Sequence, residues 1–218
     1  MRGPMRYRDD DVLRLGPDVV QRLIPHRRPL LMVDAVEAFR GGPQPVLWAR
    51  RQISANEDVF AGHFPGLSMW PGVYTIEGLG QTSLLLSVIL FLVAQHERSG
   101  GTSRALLDAL RELDPARRGP PGSGAAPLEL PPPDPRAGVA GQVDIKLVAP
   151  VYAGQTLRYR AVMTHTLEAF ARFDVEAEVD GTAVARGTMT GMMGRLGGSG
   201  GSGGGGPGSG SGAPGAPP

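Results

Sequence analysis

Three residues in one short stretch could do chemistry together. They are His63 in "AGHFPGLSMWPG" (61–72), Gly72 at the end of that run, and Glu77 five positions on. Imidazole titrates near neutral pH and so can accept a proton there, and Gly62, Pro65 and Gly66 restrict the backbone that aims the His63 ring. Pro71 lacks an N–H and suits a helix start, so Gly72 carries a free amide at the positive end of the helix, with no side chain to keep an oxygen away. That is an oxyanion site in outline. Glu77 lies about 7.5 Å further along the axis, in a helix that is otherwise almost wholly apolar. A carboxyl in such surroundings is costly unless paired or used, and it keeps its proton to higher pH, so it can donate one. Gln81, at i+4, shares its face and can orient it by a hydrogen bond. Each component also has a structural reading: a loop histidine, an ordinary helix start with a packing glycine, and a solvated glutamate at a helix end.

The elements that must position these residues are legible from period and punctuation. "GPDVVQRLI" predicts a short helix with Asp18 near its start and Pro25 as its stop. "LLMVDAVEAF" (30–39) and "VLWARRQISA" (46–55) read as strands of a hairpin across "RGGPQP". From Pro71 an apolar run continues to about Gln95, and "TSRALLDALREL" adds a shorter helix. "VAGQVDIKLV", "QTLRYRAVMTHTL", "ARFDVEAEV" and "AVARGTMTGMM" alternate as strands, with "DG" at 180–181 as a hairpin turn. Strands, one long apolar helix, then more strands imply an α+β fold, an antiparallel sheet curled around that helix.

Composition bounds the function. Formal charge is +1, which gives no broad field for nucleic acid or an anionic membrane. The chain has no cysteine, which excludes disulfides, thiolate metal sites and a cysteine nucleophile and fits a cytoplasmic setting. No spacing resembles a zinc ligand set, and no glycine-rich loop carries a phosphate-binding lysine. The opening "MRGPMRYRDDDV" is basic and then acidic, unlike a secretory signal. The uncharged stretch Gly78–Ala94 has the length of a membrane span, but Glu77, Gln81 and Ser83 at one end favour a buried core helix. Residues 1–16 read as an N-terminal extension, 17–194 as one domain interrupted by a Pro/Gly-rich insert at about 115–137, and 195–218 as a flexible Gly/Ser/Pro-rich tail. His26 and Arg27 are expected to pin the helix-to-strand corner, and His96 and His165 to lie on the surface.

"LIPHRRPLLMVDAVEAF", "NEDVFAGHFPGLSMWPGVYTIEGLGQ" and "VDIKLVAPVYAGQTL" resemble, in order and nearly in spacing, the 3-hydroxyacyl-acyl-carrier-protein dehydratases of bacterial fatty acid synthesis. The similarity spans about residues 17–97 and 138–194. It implies a hot-dog fold whose sheets join between two subunits, as a homodimer or a trimer of dimers. It also implies cofactor-free removal of water from a (3R)-3-hydroxyacyl thioester on acyl carrier protein. On this chain the base would be His63, the acid Glu77 and the oxyanion donor Gly72. Val73, Gln81, Phe64 and Met69 would be the other substrate-contacting positions, and the two catalytic residues of one site would come from different subunits.

The chain departs from the family at "EGLGQ", where "EAMAQ" is usual, at Leu67 and Ser68, and in the proline-rich insert. These changes bear on the acyl pocket and on carrier docking, and point to a specialised, polyketide-like acyl chain as a variant. Two other readings stay open. A hot-dog thioesterase would activate water with the helix carboxylate and would not need His63, and a non-catalytic carrier-binding or partner subunit could lose the pair.

Overall fold

The computed structural model describes residues 5–117, 128–133, 138–167 and 170–192. The middle of the expected insert (118–127 and 134–137) and the whole expected tail (195–218) lie outside the described residues.

The described chain forms β1 (Val12–Leu15), α1 (Pro17–Leu23), β2 (Ala35–Arg40), β3 (Val46–Gln52), α2 (Gly72–Arg98), α3 (Ser103–Glu112), β4 (Val139–Leu147), β5 (Thr156–Leu167), β6 (Phe170–Val179) and β7 (Thr182–Met192). All seven strands pair antiparallel in one sheet, in the order β1-β2-β3-β5-β6-β7-β4. Alternate residues face inward, as along β5, where Leu157, Tyr159, Ala161 and Met163 are buried between more exposed neighbours. Asp180 and Gly181 both take positive φ (50° and 79°), the geometry that lets a two-residue turn follow the twist of β6 and β7.

The sheet wraps α2. From Gly78 to Ile89 almost every residue of the helix is buried, polar ones included, and Thr82, Ser83 and Ser87 return their hydroxyls to carbonyls one turn back. The run that imitates a membrane span is this core helix, 61% buried over its most apolar window. Leu106, Leu110 and Leu113 seal α3 over it, while the Arg111 guanidinium donates to the Val12 and Leu13 carbonyls and ties α3 to β1.

Three sequence expectations are corrected. Residues 30–34 are not strand: Leu31, Met32 and Val33 are buried, but the Leu30 carbonyl and Met32 amide dock on the Gln81 side chain, and the segment first reaches β3 at its end, where the Asp34 amide donates to the Arg50 carbonyl. The sheet begins before residue 17, because Val12–Leu15 pairs with β2 and Met5 is buried. The end of the insert packs, since Leu128 and Leu130 lie against the core and Leu130–Pro133 wall a crevice with Leu23, Val88 and Phe91.

Candidate active site

The loop from Ile53 to Pro71 is built by its own turns. A short 3-10 turn, Asp58–Ala61, is closed by Gly62 and His63 amides donating to the Val59 carbonyl. Phe64 and Leu67 then exchange both backbone hydrogen bonds at 2.8 and 2.9 Å around Pro65 and Gly66. Gly66, at φ 83°, holds the position where a proline-glycine reversal needs a left-handed residue. The returning strand-like segment docks through the Trp70 amide to the Val151 carbonyl and the Ala153 amide to the Ser68 carbonyl. Beneath it Arg51 is almost wholly buried. It pairs with Asp34 at 2.9 Å and with Glu57, and its guanidinium lies over Trp70.

This frame aims His63. Its Nδ1 is 2.9 Å from the Met69 carbonyl oxygen, which can only accept, so the neutral ring carries its proton on Nδ1 and Nε2 is the basic nitrogen. His63, Met69, Gly72 and Thr75 share a cavity of about 350 Å³ with Leu147–Val151 and Val184. Pro71 caps α2, so the Gly72 amide is the first at the helix N-terminus and has no intrahelical acceptor.

Glu77 does not line that cavity. Thr75 does, and a residue two further on points about 200° around the helix. The Glu77 side chain is 40% exposed rather than buried in apolar surroundings, with His26 Nε2 3.5 Å and Gln81 Nε2 2.8 Å from its Oε1. Gln81 orients Glu77 as expected, but it has nothing left for a substrate: its Oε1 accepts from the Met32 amide and its Nε2 also donates to the Leu30 carbonyl. Val73 is 66% exposed and Phe64 48% exposed, the latter stacked on His63 at 4.2 Å, and neither lines the cavity. Arg27 pins the corner as expected, donating to the Ile24 and His26 carbonyls.

Sequence reading missed Arg51, Asp34 and Glu57. The available signal was a charge at an inward position of β3, where the alternation calls for an apolar residue. The departure at "EGLGQ" also has a cause, because a Cβ at Gly78 would stand 2.4 Å from the Tyr159 ring. Among the described residues no cluster of histidine, aspartate and glutamate could hold a metal ion.

An antiparallel sheet curled around one long helix defines a hot-dog protein, here with a histidine loop opening at that helix's N-terminus. Residues 24–109 match the FabA-like domain family. The 3-hydroxyacyl-acyl-carrier-protein dehydratase FabZ of Anaeromyxobacter is 44% identical over 71 residues, 33% of this chain and 44% of that protein. The FabZ of Latilactobacillus sakei is 41% identical over 76 residues, 35% of this chain and 53% of that protein. The resemblance to the dehydratase family therefore holds, and the chain spans about half the length of the curated relatives it matches. Strands β4–β7 lie beyond the matched family domain. Among solved structures, the dehydratase heterocomplex ApeI:P from Xenorhabdus doucetiae is similar at a TM-score of 0.46 and 14% identity, covering 81% of this chain and 91% of that one.

Proposed function

We propose that this protein removes water from (3R)-3-hydroxyacyl thioesters carried on acyl carrier protein, giving trans-2-enoyl thioesters, in fatty acid or polyketide-like synthesis. The observation that carries the proposal is the tautomer of His63. With Nδ1–H held by the Met69 carbonyl, Nε2 is free to take the proton α to the thioester. The enolate oxygen that develops accepts from the Gly72 amide at the helix N-terminus. Glu77 gives its proton to the β-hydroxyl, which leaves as water as the double bond forms, so the electron pair of the broken C–H bond ends in the alkene.

Since Glu77 points away from the His63 cavity of its own chain, the acid at each site belongs to a second copy in a homodimer. The edge of β4 supports that assembly. Among the described residues β4 pairs only with β7, and three of its apolar side chains are exposed, Val143 and Leu147 on one face and Val139 on the other beyond a register shift, which a sheet edge does not ordinarily leave to water. The reaction needs no cofactor, and the reading carries a cytoplasmic location with it.

The test is to incubate the purified protein separately with 3-hydroxyacyl and crotonyl thioesters, following water loss or gain by mass and free thiol by colour. Reversible interconversion without thiol release supports the proposal. Thiol release without interconversion overturns it in favour of thioester hydrolysis.

A further inference from the structure

His26 is a half-buried histidine that the proposed reaction does not use. It sits in the corner between α1 and β2, and its Nε2 approaches Glu77 Oε1 at 3.5 Å. Its Nδ1 is buried with no hydrogen-bond partner among the described residues. Gln81 meets the same carboxylate oxygen from the helix at 2.8 Å. The orientation of the Gln81 amide is fixed, because its oxygen receives the Met32 N–H and its nitrogen must therefore face Glu77. Two nitrogens thus converge on Oε1, and neither is assigned to Oε2.

Burial holds the His26 imidazole below its ordinary pKa, the Glu77 carboxylate pulls it up and Arg27 pushes it further down. Glu77 on α2 and Arg27 beside it are the charged groups that act on this ring. The neutral ring has one proton to place. On Nε2 it faces a carboxylate oxygen, whereas on Nδ1 it would find no acceptor among the described residues.

We propose that His26 is a positioning residue for Glu77. Its Nε2–H, together with the Gln81 amide, keeps Oε1 in the role of acceptor and leaves Oε2 as the oxygen that carries and delivers the proton. This rests on the dehydratase reading, and its test separates the two.

The experiment uses the full chain with ¹⁵N-labelled histidine. The ring shifts of His26 are expected to show the Nε2–H tautomer at neutral pH, and its titration midpoint is expected to fall in Glu77→Gln, which removes the carboxylate that pulls it up. Turnover supplies the second readout. His26→Phe should lower kcat roughly tenfold, a fraction of the 10²–10⁴ a general acid contributes, with KM unchanged. His26→Gln, which keeps an N–H near Nε2, should recover most of that loss. An Nδ1–H ring, a midpoint unmoved in Glu77→Gln, or native kcat in a folded His26→Phe protein overturns the role. The ring shifts need no turnover, so they report on His26 even if no thioester reacts. Inactive Glu77→Gln with an uncoupled His26 keeps the dehydratase reading and removes only this residue from it.

Discussion

The Nδ1 of His63 and the carbonyl oxygen of Met69 are 2.9 Å apart, six residues from each other in sequence, and the turn at Pro65 and Gly66 brings them together. The contact is to backbone, so the identity of residue 69 matters little to it. What it requires is the reversal itself, which depends on Gly66 at φ 83°.

The first expectation concerns the proposed pair. His63→Ala and Glu77→Gln should each lower kcat for dehydration by about 10²–10⁴, the contribution of a positioned acid or base. Neither side chain belongs to the hydrophobic core, so melting temperatures should stay near native. Circular dichroism beside a spectrophotometric enoyl assay checks both. Near-native turnover in either variant would remove that residue from the chemistry.

Gly78 and Tyr159 should be coupled. A methyl group at 78 would overlap the Tyr159 ring, which is fully buried and cannot swing out, so Gly78→Ala is expected to destabilise by about 1–3 kcal/mol. Combined with Tyr159→Leu, the same change should cost less than the sum of the two single changes. Urea denaturation of the four proteins in this cycle measures the coupling, and strict additivity would refute it.

Arg51 is expected to matter more than any other charge in the loop frame. Arg51→Ala strands Glu57, takes from Asp34 one of its two arginines while Arg28 stays at 2.7 Å, and removes the group over Trp70, at a cost of about 3 kcal/mol, the low end for a broken buried pair because both carboxylates still reach water. Since Trp70 lines the His63 cavity, kcat should fall along with stability. Arg51→Ala with native stability and turnover would show the frame to be dispensable.

What could and could not be read from the sequence follows from where each interaction partner lies. The His63 loop, the start of α2 and the turn at Asp180–Gly181 are built from neighbours in sequence, so residue types and spacing carry them. Residues 30–34 looked like strand because their apolar pattern is real. Their partner, though, is the side chain of Gln81, 49 residues from Met32, and no local pattern reports that. β1 was missed because four residues after an acidic run are too short to show a period. Arg51 was passed over because its two carboxylates come from separate segments. The direction in which Glu77 points was open to helical geometry, but its value as evidence for a shared site depends on the cavity's position.

Acid should weaken the fold in two stages. Burial depresses the His26 pKa below 6.5, so the unfolded chain takes up a proton that the folded chain refuses. Its contribution to stability is complete above 6.5, declines as pH falls through that value and stops declining below the folded-state pKa. Asp11 is held below 3.8, chiefly by its hydrogen bond to Arg40, so its contribution is present above 3.8 and is lost as pH falls further. Urea midpoints measured against pH should flatten near 6 in His26→Phe and below 4 in Asp11→Asn. Unchanged slopes would mean that other groups dominate.

The shared site gives the last expectation. Fourteen residues separate His63 from Glu77, yet Thr75 faces the His63 cavity and Glu77 stands about 200° around α2 from it. If each site takes its histidine from one chain and its acid from the other, a dimer of one His63→Ala chain and one Glu77→Ala chain has one site with both defects and one with none. Equal amounts assembling at random make about half the dimers mixed, and each mixed dimer has one of two sites intact, so activity should return to about a quarter of native. Each variant alone stays silent. Co-refolding the two inactive proteins and assaying the mixture measures this, with native mass spectrometry counting the mixed dimers. If mixed dimers form and activity does not return, both residues serve a site within one chain, and Glu77 must then reach the cavity by a rearrangement of the first turns of α2.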